Sequence, residues 1–118
     1  MSSVTTLSTH VLDTSLGVPA ANIPVTLVRV EDGSDVAIVL ASGVTNADGR
    51  VAAFGPAEGL LRDGHYRLRF DVAGYFADAR RSSFYIEICI DFVVADAPQH
   101  YHVPLLLSPW GYSTYRGS

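Results

Sequence analysis

His65-Tyr66-Arg67-Leu68-Arg69-Phe70-Asp71-Val72 alternates with a period of two: Tyr66, Leu68 and Phe70 fall on one side, Arg67, Arg69 and Asp71 on the other. Successive side chains of a strand point to opposite faces, so this octet reads as a half-buried β-strand. Working outward, the chain is punctuated at short intervals by turn residues: Ser15-Leu16-Gly17, Glu31-Asp32-Gly33-Ser34, Asn46-Ala47-Asp48-Gly49, Asp63-Gly64 and Asp96-Ala97-Pro98. Between them lie short β-branched segments, which is the pattern of an all-β sandwich. Leu7 to Asp13, Pro24 to Val30, Asp35 to Thr45 and Arg50 to Phe54 are expected strands on the N-terminal side, and Asp48-Gly49 is a good tight-turn dipeptide. On the C-terminal side Phe84 to Ala95, His100 to Leu107 and Tyr112 to Arg116 are expected strands. Ala73 to Ser82 is rich in Ala and poor in β-branched residues, so it is the one expected helix, about two turns long. The expectation is an antiparallel sandwich of about eight strands with one short helix.

The chain has 118 residues, within the compass of one domain of about 150 residues, and residues 1–118 are expected to form a single unit. Such a globule buries roughly two-thirds of its unfolded surface and needs no disulfide or metal to fold. Charged residues make up 17%, below the ~25% usual in soluble domains, a first hint that some surface is covered by other subunits. The net charge is −4 and every one of the eight basic residues is Arg. Without lysine, Schiff-base chemistry and the Walker phosphate lysine are excluded. An acidic balance with no basic run argues against a nucleic-acid partner.

The lone cysteine, Cys89, lies in Ile86-Glu87-Ile88-Cys89-Ile90 and reads as a small core residue with no cationic neighbour to activate it. The N-terminus lacks a basic segment followed by a long apolar one, and no apolar run approaches the ~18 residues of a membrane helix. The chain ends Arg-Gly-Ser rather than in the peroxisomal Ser-Lys-Leu. A cytoplasmic location and no membrane partner are expected.

Four histidines are the most informative polar residues. His100 and His102 share one strand face, while Tyr101, Val103, Leu105 and Leu107 form the better core face. His102 therefore projects outward. His10 shares a face with Ser8 and Leu12, opposite Leu7, Thr9 and Val11. Three readings are open: scattered surface histidines, a zinc site with three-histidine ligation, and metal-free acid/base work by imidazoles whose pKa lies near neutrality. No evident acidic orienter accompanies either histidine strand. His65, beside Gly64, reads as exposed.

Leu7-Ser8-Thr9-His10-Val11-Leu12-Asp13, with Gly17-Val18-Pro19-Ala20, resembles the opening motif of the transthyretin-like proteins. The stretch from His100-Tyr101-His102-Val103-Pro104 through Ser108-Pro109-Trp110-Gly111 to Tyr115-Arg116-Gly117-Ser118 resembles the closing signature of the 5-hydroxyisourate hydrolase branch of that family. The resemblance covers essentially the whole chain. It implies a transthyretin-like sandwich of two four-stranded sheets with one short helix. It also implies a homotetramer, a dimer of dimers, with active sites where dimers face one another. The implied reaction is hydrolysis of a ring amide of 5-hydroxyisourate in urate catabolism, with no cofactor and no metal.

Residue by residue, the family's catalytic positions fall on His10, Arg50 and His102, and its closing tetrapeptide falls on Tyr115 to Ser118. The resemblance thus implies His10 and His102 as acid/base groups and Arg50 as the group that holds the heterocycle. Tyr115, Arg116 and Ser118 join His10 and Arg50 as implied substrate-binding residues. Trp110 stands where the family more often has Tyr or Phe, and Ile86 where a proline is common. The alternative is a transthyretin-like carrier of a hydrophobic small molecule, whose channel should be open and apolar.

Overall fold

Inward-facing apolar rows run straight across the first sheet. Val25 pairs with Phe70, which pairs with Ile88, and Leu27 pairs with Leu68, which pairs with Ile90. Five of these six are essentially inaccessible, and Ile90 is nearly so. Each such side chain contributes roughly 1.5–3 kcal/mol by leaving water. The computed structural model describes residues 5–31, 36–51, 54, 61–95 and 99–117. The first sheet is antiparallel throughout, in the order β4 (Ala37–Val44), β3 (Pro24–Val30), β6 (Gly64–Asp71), β7 (Glu87–Val94).

The second sheet is built around β1 (Thr6–Asp13). Along one edge run β8 (His100–His102) and β9 (Leu105–Leu107), with β10 (Tyr112–Thr114) beyond β9. Along the other lie β2 (Val18–Pro19) and β5 (Arg50–Val51). These six segments fill four strand positions, because β8 and β9 are one course interrupted at Val103-Pro104, while β2 and β5 share an edge. Pro104 has no N–H to give to the ladder. Side chains bridge the gap instead: Thr9 Oγ1 donates to the Val103 carbonyl (2.6 Å) and Thr114 Oγ1 to that of Pro104 (2.6 Å). The all-β, two-sheet sandwich expected from the sequence is thus present.

Several local expectations are corrected. β1 runs parallel to β8 and β9, so the sandwich is not wholly antiparallel. A parallel pair needs a long crossover, and here the crossover contains the entire first sheet. The helix α1 spans only Ala73–Asp78, because Arg80 adopts a left-handed conformation (φ 56°) and the Arg81 amide closes back on the Phe76 carbonyl. β7 starts at Glu87 rather than Phe84, whose amide bonds instead to the Pro109 carbonyl. β2 was not anticipated, being two residues ending in proline.

Cys89 is exposed, not core. Ile88 and Ile90 take the inner face, so the period of two sends Cys89 outward with Glu87 and Asp91. Partial desolvation and the adjacent Glu87 carboxylate push its thiol pKa up, which leaves it a poor nucleophile. His65 is not a bare surface residue either: its Nε2 lies 3.1 Å from Asp91 Oδ2, on a carboxylate that also receives Arg67. The Asp96-Ala97-Pro98 turn lies outside the described residues.

Asp13 fastens β1 to the helix. Its fully buried carboxylate accepts from Arg81 Nη1 (2.6 Å), the Tyr75 hydroxyl (2.7 Å) and the Ser15 hydroxyl (2.7 Å). Burial opposes its charge, but these bonds and the Leu16 amide outweigh burial and hold the carboxyl well below the usual carboxylate range. Tyr75 responds in the opposite sense: burial and the Asp13 carboxylate leave its hydroxyl pKa pushed up to about 12.

Candidate active site

Alternation along β1 turns Leu7, Thr9, Val11 and Asp13 inward and leaves Thr6, Ser8, His10 and Leu12 on the outer face. The pairing register then decides which side chains meet there. His10 is opposite Arg50 on β5, Ser8 is opposite His102 on β8, and Thr6 is opposite His100. Three strands thus bring three histidines, an arginine, a serine and a threonine onto one sheet face.

Arg50 is placed by the turn before it. Asn46 Oδ1 accepts from the amides of Asp48 (2.9 Å) and Arg50 (3.0 Å), and Gly49 turns the chain at φ 75°. The Gly49 carbonyl accepts from the Val11 amide at 2.7 Å, which clamps the turn to β1 beside His10. A side chain at Gly49 would run into the Val11 carbonyl oxygen, so the close approach itself demands glycine.

His102 is half-buried, and its pKa is lowered from the ordinary histidine value. Burial is the main cause, followed by the positive charge of Arg50 and by His10 and His100. A neutral imidazole beside a guanidinium is thereby favoured at neutral pH, the state a general base requires. The C-terminal tail covers this ring. The Gly117 amide donates to the His102 carbonyl (2.8 Å), and a Cβ at Gly117 would strike the imidazole.

The remaining expected site residues are placed differently. Tyr115 is exposed. Arg116 points its guanidinium to Gln99 Oε1 (2.7 Å) and over the Tyr101 ring (4.6 Å), at the β8 end of the sheet. Both border a groove of about 320 Å³ between the sheet edges, lined also by Phe92, Val93 and Val103, and not the outer face that carries the histidines. Ser118 lies outside the described residues.

Ser8 is the participant that sequence reasoning missed. Its Oγ lies 2.8 Å from His102 Nδ1 and 2.9 Å from His100 Nε2, while His100 Nδ1 lies 2.7 Å from Thr6 Oγ1. The signal was present in the alternation that grouped Ser8 with His10. Both nitrogens of His100 and one of His102 are thus occupied by hydroxyls. Among the described residues no three His, Cys, Asp or Glu side chains come together to hold a metal ion.

Known proteins share both the sequence and the fold. Residues 7–117 match the sequence profile of the HIUase/Transthyretin family. The chain is 46% identical over 115 residues to the 5-hydroxyisourate hydrolase of Deinococcus radiodurans, covering 95% of each. The structure superposes on that of Klebsiella pneumoniae 5-hydroxyisourate hydrolase with a TM-score of 0.82 at 45% identity, covering 97% of this chain and 100% of that one. It also superposes on sea bream transthyretin in complex with thyroxine, with a TM-score of 0.85 at 26% identity, covering 94% and 93% of the two chains. Sequence match over nearly the full length, a shared two-sheet architecture and the expected histidine strands agree on one point: this chain belongs to the HIUase/Transthyretin family.

Proposed function

We propose that this protein hydrolyses 5-hydroxyisourate, opening its six-membered ring at an amide bond. The observation that carries the reading is the meeting of His10, Arg50 and His102 on one sheet face, with the pKa of His102 lowered. Neutral His102, assisted by His10, takes a proton from water as the water oxygen attacks the ring carbonyl carbon. Arg50 holds the planar heterocycle and stabilises negative charge gathering on the carbonyl oxygen, since its rigid fork matches adjacent acceptors. The carbon–nitrogen bond then breaks, and a histidine returns the proton to the leaving nitrogen.

A bare sheet face does not enclose a ligand, so the working site needs a lid. We assign that role to further copies of the chain in a homotetramer built as a dimer of dimers. In it, Tyr115, Arg116 and Ser118 of the closing tetrapeptide shape the pocket and its polar rim. The enzyme is assigned to the cytoplasm. Two imidazoles and a guanidinium make the face too polar for a carrier of hydrophobic molecules, which favours catalysis over carriage.

The test is to generate 5-hydroxyisourate from urate with urate oxidase and follow its ultraviolet decay. Added protein is expected to accelerate that decay; a rate equal to the spontaneous one defeats the reading. His102→Asn is expected to lose ~10²–10⁴-fold in kcat, the span of a general acid/base group. Protein pretreated with EDTA is expected to keep its full rate, and a chelation-dependent loss would return the zinc reading to favour.

A further inference from the structure

Beyond the three residues already assigned a role, the outer face carries an unbroken row of hydrogen-bonding groups leading away from His102. It runs from His102 Nδ1 to Ser8 Oγ (2.8 Å), from Ser8 Oγ to His100 Nε2 (2.9 Å), and from His100 Nδ1 to Thr6 Oγ1 (2.7 Å). Its inner end, His102, is half-buried, while His100, one link short of the end at Thr6, is exposed. The strand register fixes it, because Ser8 is opposite His102 and Thr6 is opposite His100 on paired strands.

A hydroxyl has one proton, so Ser8 can donate to only one of its two imidazole neighbours and must accept from the other. The row therefore has two ordered states. In one, His102 donates from Nδ1 to Ser8, Ser8 donates to His100 Nε2, and His100 donates from Nδ1 to Thr6. His102 Nε2 then bears a free lone pair. In the other every bond is reversed, and His102 carries its proton on Nε2.

We propose that Ser8 and His100 are positioning residues that set the tautomer of His102 and carry charge from it to the surface. The proposal rests on the assignment of His102 as general base. As His102 Nε2 takes a proton from water, its Nδ1 proton passes to Ser8 and the Ser8 proton passes to His100 Nε2. The net change is one proton gained at His102 Nε2 and a positive charge on His100. His102 stays neutral, with a proton on Nε2 for the leaving nitrogen, and the reverse shift restores the row.

Physical considerations favour this displacement. A cation at His102 is opposed by burial, by Arg50 and by His10. The same charge at His100 sits on an exposed side chain that water can solvate. Two-nitrogen rings bridged by hydroxyls suit such transfer because each member both donates and accepts.

The test compares Ser8→Thr with Ser8→Val, which have nearly the same shape and differ in the hydroxyl. In ¹⁵N-labelled protein above neutral pH, NMR of the imidazole nitrogens is expected to show the Nδ1–H tautomer of His102 in wild type and Ser8→Thr. Ser8→Val is expected to show the Nε2–H form. In kinetics Ser8→Val and His100→Ala are expected to lose about tenfold or more in kcat with KM unchanged. Added imidazole should restore His100→Ala and leave Ser8→Val unrestored. An unchanged His102 tautomer in Ser8→Val, or a kcat within about twofold of Ser8→Thr, overturns the proposal. A wild-type protein inert toward 5-hydroxyisourate defeats the hydrolase reading instead, and the tautomer spectra still decide the row.

Discussion

Arg50 acts on His102 through its positive charge. Its charge is the second cause, after burial, of the lowered pKa of that imidazole. Because the guanidinium disfavours a neighbouring cation, Arg50→Gln should move the His102 pKa upward, toward the ordinary 6.5. NMR titration of the His102 ring protons checks this without any turnover, and an unmoved or lowered value contradicts it. At this scale the sequence was readable where alternation alone decides orientation. His10, His102 and the inward set Tyr101, Val103, Leu105 and Leu107 all face as their spacing predicts. Cys89 was misread because the apolar character of its neighbours was weighed above the period of two. Ser8 was overlooked because a strand hydroxyl has no signature until its cross-strand neighbours are known.

Elements are held in register by a few polar fastenings, and the Asp13 cluster is the most concentrated of them. Asp13→Asn leaves Arg81 facing a neutral partner and should cost about 3 kcal/mol, the scale of breaking a buried pair. Denaturant unfolding at neutral pH measures it, and a loss near zero would mean that the cluster is dispensable. The folded-state pKa of Asp13 lies below its ordinary 3.8, so the stability it supplies is complete above that value. That stability is lost as the pH falls toward the folded-state value. Wild type should therefore lose stability with acid more steeply below about pH 4 than Asp13→Asn does. Strand positions were legible from turn residues and β-branched runs. The truncated helix was not, because the left-handed turn at Arg80 and the reach of Arg81 to Asp13 depend on packing. Nor was the parallel pairing, which no local pattern encodes.

For the whole molecule the central question is what covers the outer face of the second sheet. Large apolar side chains also lie exposed elsewhere, among them Val39, Phe84, Ile86, Val93 and Trp110. Together with a charged fraction of 17%, they suit a chain with interfaces to complete. If the site is closed by further copies, activity per chain should fall on dilution below the assembly constant. Light scattering over the same range should show the loss of a tetramer. Constant specific activity down to a scattering mass of one chain, 12.7 kDa, contradicts this. Length and composition could suggest missing surface but could not say which face was incomplete. That needed the register placing His10, Arg50 and His102 together.

The parallel pairing of β1 with β8 bears on how the protein comes to be. Ser8 and His102 are 94 residues apart in sequence, near opposite ends of the chain. Contacts so distant carry the largest loop-closure entropy and are slow to form. The hairpins of the first sheet can close while the chain is still emerging from the ribosome, but β1 must wait for its partner. The face carrying His10, Arg50 and His102 is therefore among the last parts to assemble, and no partly synthesised chain that lacks β8 can possess it. Activity in this protein reports a chain whose synthesis has passed β8.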